Sequence, residues 1–141
     1  MSFYLDTSFV VSALSKETRS LDALEWLNRH QTAELCTSGW IITEFASAIA
    51  LKIRTGQFDQ ADLDVLRAQW DSYRSTNLRC VIIEDADYDV ASSLIYLSSA
   101  GLRSGDALHL AICQRIGATI ITFDSGLKRA ADQFAIPATI P

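Results

Sequence analysis

The chain has 141 residues, nearly half of them apolar, with 12 Lys and Arg against 17 Asp and Glu and a net charge of −5. That length builds one domain over 1–141 whose core needs no disulfide, and no apolar run approaches the roughly 20 residues that span a bilayer. The charge excludes a protein that grips nucleic acid across a broad basic face, so any such contact has to be local. Cys36, Cys80 and Cys113 are odd in number, widely spaced and set in apolar segments, which predicts reduced core thiols rather than a disulfide or zinc site. With a first strand that opens without a basic leader, the expectation is a soluble, cytoplasmic protein with no membrane segment.

In chain order, residues 3 to 6 read as a strand and Thr7 to about Ser15 as a short helix capped by Asp6 or Ser8. Ser20 or Asp22 opens a second helix, with Leu21, Leu24 and Leu27 at helical spacing and Trp26 alongside, up to about His30. Residues 33 to 37 suit a short strand. A long helix then runs from about Gly39 to near Gly56, and Asp59 begins another, with Leu63, Leu66 and Trp70 on one face. Arg79 to Ile83 suits a buried strand, and Asp85 caps a helix that continues to about Ala100 and stops at Gly101. Ser104 caps a helix carrying Ala107, Leu108, Ala111 and Ile112 and ending at Gly117. The strand 118–123, a helix over Ser125 to Gln133 and a last strand near 138–140 complete the chain. Strands alternating with helices predict an α/β fold of three layers, α/β/α, around a central, mainly parallel sheet.

Four carboxylates stand out. Asp6 ends the first strand in Leu5-Asp6-Thr7-Ser8, Asp124 ends the strand Ile120-Ile121-Thr122-Phe123, and Asp106 opens a helix in Gly105-Asp106-Ala107-Leu108-His109-Leu110-Ala111. Each of these three, alone, has an ordinary reading as a helix cap. Glu44 has none: it is the only charge from Trp40 to Leu51, inside a helix beside Ile41, Phe45, Ala48 and Ile49. A buried charge there is protonated, paired or bound to a metal. Ligand crevices in open parallel sheets lie at the carboxyl ends of strands, where Asp6 and Asp124 both fall. Crowded carboxylates need a neutralising cation, and an all-oxygen donor set selects Mg²⁺ or Mn²⁺ over zinc. The chemistry available to such a site is attack by a metal-activated water on a phosphate. Ser8 and Thr122 lie within two residues of Asp6 and Asp124, where they orient carboxylates or cap turns.

These segments resemble the PIN-domain ribonucleases, and the chain length resembles the VapC toxins of type II toxin–antitoxin pairs. The resemblance spans essentially the whole chain, with Asp6-Thr7-Ser8 and Asp106 to Ala111 its most specific pieces. It implies an endoribonuclease acting on structured RNA of the tRNA or rRNA class, with Mg²⁺ or Mn²⁺ held by Asp6, Glu44, Asp106 and Asp124. It further implies a homodimer neutralised by a VapB-like antitoxin. Leu127 departs from the aromatic often found three residues beyond the last acid.

Other residues have competing readings. His109 is either a proton carrier or a hydrogen-bonded packing residue, the second favoured by its apolar neighbours. Trp26, Trp40 and Trp70 are either base-stacking aromatics or residues of the core or a subunit interface, the second favoured by their apolar helical positions. Arg103, Lys128 and Arg129 are candidates to contact RNA phosphates. Asp59, Asp62, Asp64, Asp85, Asp87 and Asp89 are read as helix-start acids. A phosphoryl-accepting receiver domain is the alternative function, although it requires two adjacent acids after its first strand.

Overall fold

A computed structural model of the protein describes residues 1–99 and 101–141. The strands are β1 (Ser2–Leu5), β2 (Glu34–Ser38), β3 (Arg79–Val81), β4 (Thr119–Ile121) and β5 (Ala138–Thr139). The helices are α1 (Thr7–Leu14), α2 (Ser20–Arg29), α3 (Trp40–Arg54), α4 (Gln60–Asn77), α5 (Asp85–Leu97), α6 (Ser104–Ile116) and α7 (Ser125–Gln133). All strand pairs are parallel, in the order β3-β2-β1-β4-β5.

Alternation along the strands divides the core into two layers. Tyr4 lies in register with Cys36 on β2 and Ile120 on β4, and these three join the core under α5, α6 and α7. The next residues, Leu5 and Ile121, are again in register and face the opposite core, beneath α1 to α4. A sheet covered on both faces makes the three-layer α/β/α fold. α6 is buried over seven consecutive residues, Ala107 to Cys113, because it packs against the sheet on one side and α5 on the other. It ends at Gly117, whose φ of 66° is the left-handed conformation that glycine takes without a Cβ penalty. Leu127, where an aromatic was the family expectation, is fully buried in the α5–α7 core.

Several expectations are corrected. α2 buries Ala23 and Trp26, with Leu27 partly buried against the same core, while Leu21 and Leu24 are exposed, because Trp26 is the residue that reaches Phe3 and Phe9 on β1 and α1. β3 is an edge strand with Arg79 and Cys80 exposed, so Cys80 is not a core thiol, whereas Cys36 and Cys113 are. Asp85 and Ser104 are first helical residues, the caps being Glu84 and Arg103, whereas Ser20 opens α2 as expected. α5 ends at Leu97, and the expected end at Ala100 lies outside the described residues. Asp87 is no solvated helix-start acid: it is buried and takes a bidentate pair of bonds from Arg115 of α6, at 2.8 Å each. None of the helices among the described residues is long and apolar enough to cross a membrane.

Candidate active site

The chain runs from β1 outward to β2 and β3, then returns to place β4 on the other side of β1. Strand order therefore reverses between β1 and β4, and a crevice opens beyond their carboxyl ends. A cavity of about 700 Å³ lies there, and its walls include Asp6, Ser8, Glu44, Asp106 and Asp124. Acids separated by more than a hundred residues thus share one pocket.

Asp6 is the residue after β1 and caps α1 by accepting from the Phe9 amide at 3.0 Å. Its carboxylate also accepts from Ser8 Oγ at 2.8 Å and Thr122 Oγ1 at 2.8 Å. Each hydroxyl has a second duty, since the Phe123 amide donates to Ser8 and the Asp124 amide to Thr122, both at 2.9 Å. The two readings of these hydroxyls are both true: they cap the turn after β4 and orient Asp6. Burial pushes the Asp6 carboxyl up to about 6 against those hydrogen bonds and the charge of His109.

Glu44, partly buried, projects from α3 to the end of a polar chain that is buried at His109, Tyr4 and Ser38. Its Oε2 meets Thr7 Oγ1 at 2.6 Å and His109 Nε2 at 2.5 Å. The other ring nitrogen of His109 lies 2.7 Å from the Tyr4 hydroxyl, which donates to Ser38 Oγ at 2.8 Å. With the Tyr4 proton committed to Ser38, its oxygen accepts from His109 Nδ1–H. Burial raises the Glu44 pKa, but the bond and charge of His109, with help from Thr7 and Trp40, leave it lowered. His109 is buried, partnered at both ring nitrogens, and anchors an acid of the pocket that it helps to line.

Asp124 caps α7, accepting from the amides of Gly126 at 2.7 Å and Leu127 at 3.0 Å. Asp106 is different. It sits in the first turn of α6 and caps nothing among the described residues, its near partner being Arg103 at 3.4 Å. Arg103 also stands 3.5 Å from Asp124, with its side chain 79% exposed. Burial raises the Asp106 pKa, and the charges of Asp124 and Glu44 add to the rise against Arg103 and His109.

These observations fit a hard divalent cation: carboxylate and hydroxyl oxygens surround the pocket, its acids repel one another, and a guanidinium already stands over two of them. As the side chains lie, no three His, Cys, Asp or Glu among the described residues close into a single ligand set. Asp6 and Glu44 are drawn toward their own partners, while Asp106 and Asp124 share only Arg103.

Gly105 was not singled out from the sequence, and Trp40 stands elsewhere than in the core. Gly105 lies so close to α3 that a Cβ there would stand 2.6 Å from Glu44 Oε1 and 2.9 Å from Trp40 Nε1. Its sequence signal is a glycine in the first turn of a helix, where most residues form helix better. Trp40 lies at the pocket wall, 37% exposed, rather than in the core with Trp26 and Trp70. It is the first residue of α3, and its ring faces Gly105 in the first turn of α6.

Fold and site together define a three-layer α/β domain with an acid-lined crevice at the switch point of a parallel sheet. The chain belongs to the PIN domain family, whose sequence profile matches residues 3–133. A search of curated proteins gives no match. Among solved structures, it is similar to FitAcB from Neisseria gonorrhoeae at a TM-score of 0.76 and 18% identity, over 99% of this chain and 97% of that one. It is similar to Mycobacterium tuberculosis VapC20, described as a Sarcin-Ricin loop cleaving toxin, at 0.71 and 19%, over 91% and 94%. Rickettsia felis VapBC2, bound to a DNA fragment from its promoter, gives 0.66 and 17%, over 99% and 98%. At these identities the likeness is one of fold.

Proposed function

We propose that the protein is the toxin of a type II toxin–antitoxin pair, a Mg²⁺- or Mn²⁺-dependent endoribonuclease that cleaves structured RNA of the tRNA or rRNA class. The observation that carries this reading is the gathering of Asp6, Glu44, Asp106 and Asp124 round one switch-point pocket in a PIN domain. Asp6, Glu44, Asp106 and Asp124 would hold the cation. That ion supplies a Lewis acid for the phosphate and lowers the pKa of a water at the site. Ser8 and Thr122 keep the Asp6 carboxylate in one orientation, and His109 with Thr7 does the same for Glu44. Fixed carboxylates lose little to reorganisation during reaction, which is where preorganised electrostatic sites gain rate. Arg54 and Arg103 line the pocket and give an acidic protein the local positive charge that an RNA backbone requires.

The similarity to VapBC2 and FitAcB supports a VapB-like antitoxin as partner, and a cytoplasmic setting belongs to the same proposal. A homodimer is part of the same reading, and exposed Ile82, Tyr96 and Leu97 leave apolar surface available for a subunit contact. The test is cleavage of total tRNA and rRNA by purified protein with Mg²⁺ or Mn²⁺. Changing Asp6, Asp106 or Asp124 to Asn is expected to lower cleavage by about 100-fold or more, since each deletes a charge at an electrostatic site. Full activity in excess EDTA ends the metal reading. Growth arrest that persists with Asp6→Asn shows that toxicity arises elsewhere.

A further inference from the structure

Among the described residues, Arg103 is the one cation that stands against two acids of the pocket at once. Its Nε lies 3.4 Å from Asp106 Oδ2 and its Nη2 lies 3.5 Å from Asp124 Oδ2. These separations are long for hydrogen bonds, so charge rather than directional bonding holds the guanidinium there. The side chain is 79% exposed, and it is the N-cap residue of α6, with its backbone held by the Ala107 amide bonded to its carbonyl at 2.9 Å. The head is therefore free to swing while its root stays at the pocket mouth. Lys52, nearby in sequence to Arg54, is by contrast already committed to Glu17.

Resting on the metal-dependent reading above, we propose that Arg103 exchanges partners: it neutralises Asp106 and Asp124 when no metal is bound, and contacts the RNA phosphate once a divalent ion takes those acids. A divalent cation on Asp106 and Asp124 repels the guanidinium and competes with it for the Oδ2 oxygens that it faces, so each weakens the hold of the other on this pair of acids. Displaced, the guanidinium remains at the cavity wall, where an incoming phosphate brings the negative charge it has lost. Its planar fork suits phosphate oxygens as it suits carboxylates. One residue thus stabilises the empty site and recruits substrate to the loaded one, and substrate binding follows metal binding.

The experiment compares the parent protein, Arg103→Gln and Arg103→Lys. Mn²⁺ affinity is measured by calorimetry on protein without RNA, and kcat and KM for RNA cleavage are then measured at saturating Mn²⁺. The exposure of Arg103 makes loss of folding an unimportant outcome, which circular dichroism checks. Arg103→Gln is expected to bind Mn²⁺ roughly three- to tenfold more tightly, the scale of losing two exposed ion pairs as competitors. It is also expected to raise KM about tenfold with a smaller change in kcat, while Arg103→Lys, which keeps the charge and loses the fork, falls between. Unchanged or weaker Mn²⁺ binding by Arg103→Gln overturns the exchange, as does an unchanged KM. A parent that binds no Mn²⁺ overturns the metal reading itself, and the exchange with it; that failure is seen in the parent rather than in the variant.

Discussion

Gly105 is the residue at which backbone packing and chemistry meet most closely. A Cβ at 2.6 Å from Glu44 Oε1 has to push that carboxylate away, and Glu44 cannot yield freely because Thr7 and His109 hold it. Gly→Ala inside a helix ordinarily gains about 1 kcal/mol. For Gly105→Ala we expect that gain to be missing in a denaturant melt and cleavage to fall at least about tenfold, since sub-ångström to ångström displacements of a reacting group carry such costs. A variant that is both stabilised and fully active would show that Glu44 has room to move. Ser8 and Thr122 illustrate the same economy of small side chains, each hydroxyl accepting from a backbone amide while donating to Asp6.

At the level of elements, α5 and α6 form the most extensive helix pair, and the buried Asp87 joins them through Arg115. The Arg115 hydrogen bonds hold the Asp87 carboxyl below its ordinary value against the cost of burial. A depressed folded pKa contributes stability above the unfolded value of about 3.9 and loses it as pH falls through the folded one. Asp87→Asn is accordingly expected to cost about 2 kcal/mol at neutral pH, the scale of a charge-assisted buried pair. The loss of stability below about pH 4 should be shallower than in the parent, because one titrating contribution is gone. Equal acid limbs in urea melts of the two proteins would refute this account. α6 matters beyond its own packing, since it carries Asp106 and His109 into the pocket, and loosening its seat on α5 moves both.

For the molecule as a whole, the acid pocket places a cost on the metal-free fold. Burial and the charges of Asp124 and Glu44 raise Asp106, which caps no helix, so its ionised form is held at the expense of stability. Asp106→Asn relieves that repulsion and gives up a long, 3.4 Å pairing with the exposed head of Arg103, which is worth little. We expect the melting temperature in EDTA to rise by about 2–4 °C for a relief near 1 kcal/mol. The further rise on adding Mg²⁺ should be smaller than in the parent, because ligand stabilisation scales with affinity for the folded state. A lower melting temperature in EDTA with an undiminished Mg²⁺ response would assign Asp106 a structural role alone.

The order of strands and helices, the parallel class of the sheet and the isolated position of Glu44 are all determined by local pattern: apolar runs of strand length, helical spacing, Gly117 and the caps Asp6 and Asp59. The same is true of the four acids as candidates, because a charge inside an apolar helix and two strand-ending carboxylates are legible without a partner in view. What tertiary structure alone decided is which neighbour each acid has. Nothing in the sequence pairs Glu44 with His109, Asp6 with Thr122 or Asp87 with Arg115, for these contacts span 65, 116 and 28 residues. They arise from strand order and from helices crossing opposite sheet faces. The choice of buried face on α2 is of the same kind: Trp26 met Phe3 and Phe9 and was buried, while Leu21 and Leu24 were left exposed. Periodicity specifies that a face exists, whereas the surface it meets specifies which one, and a buried polar group is defined by its partners, which only the folded chain brings within hydrogen-bonding reach.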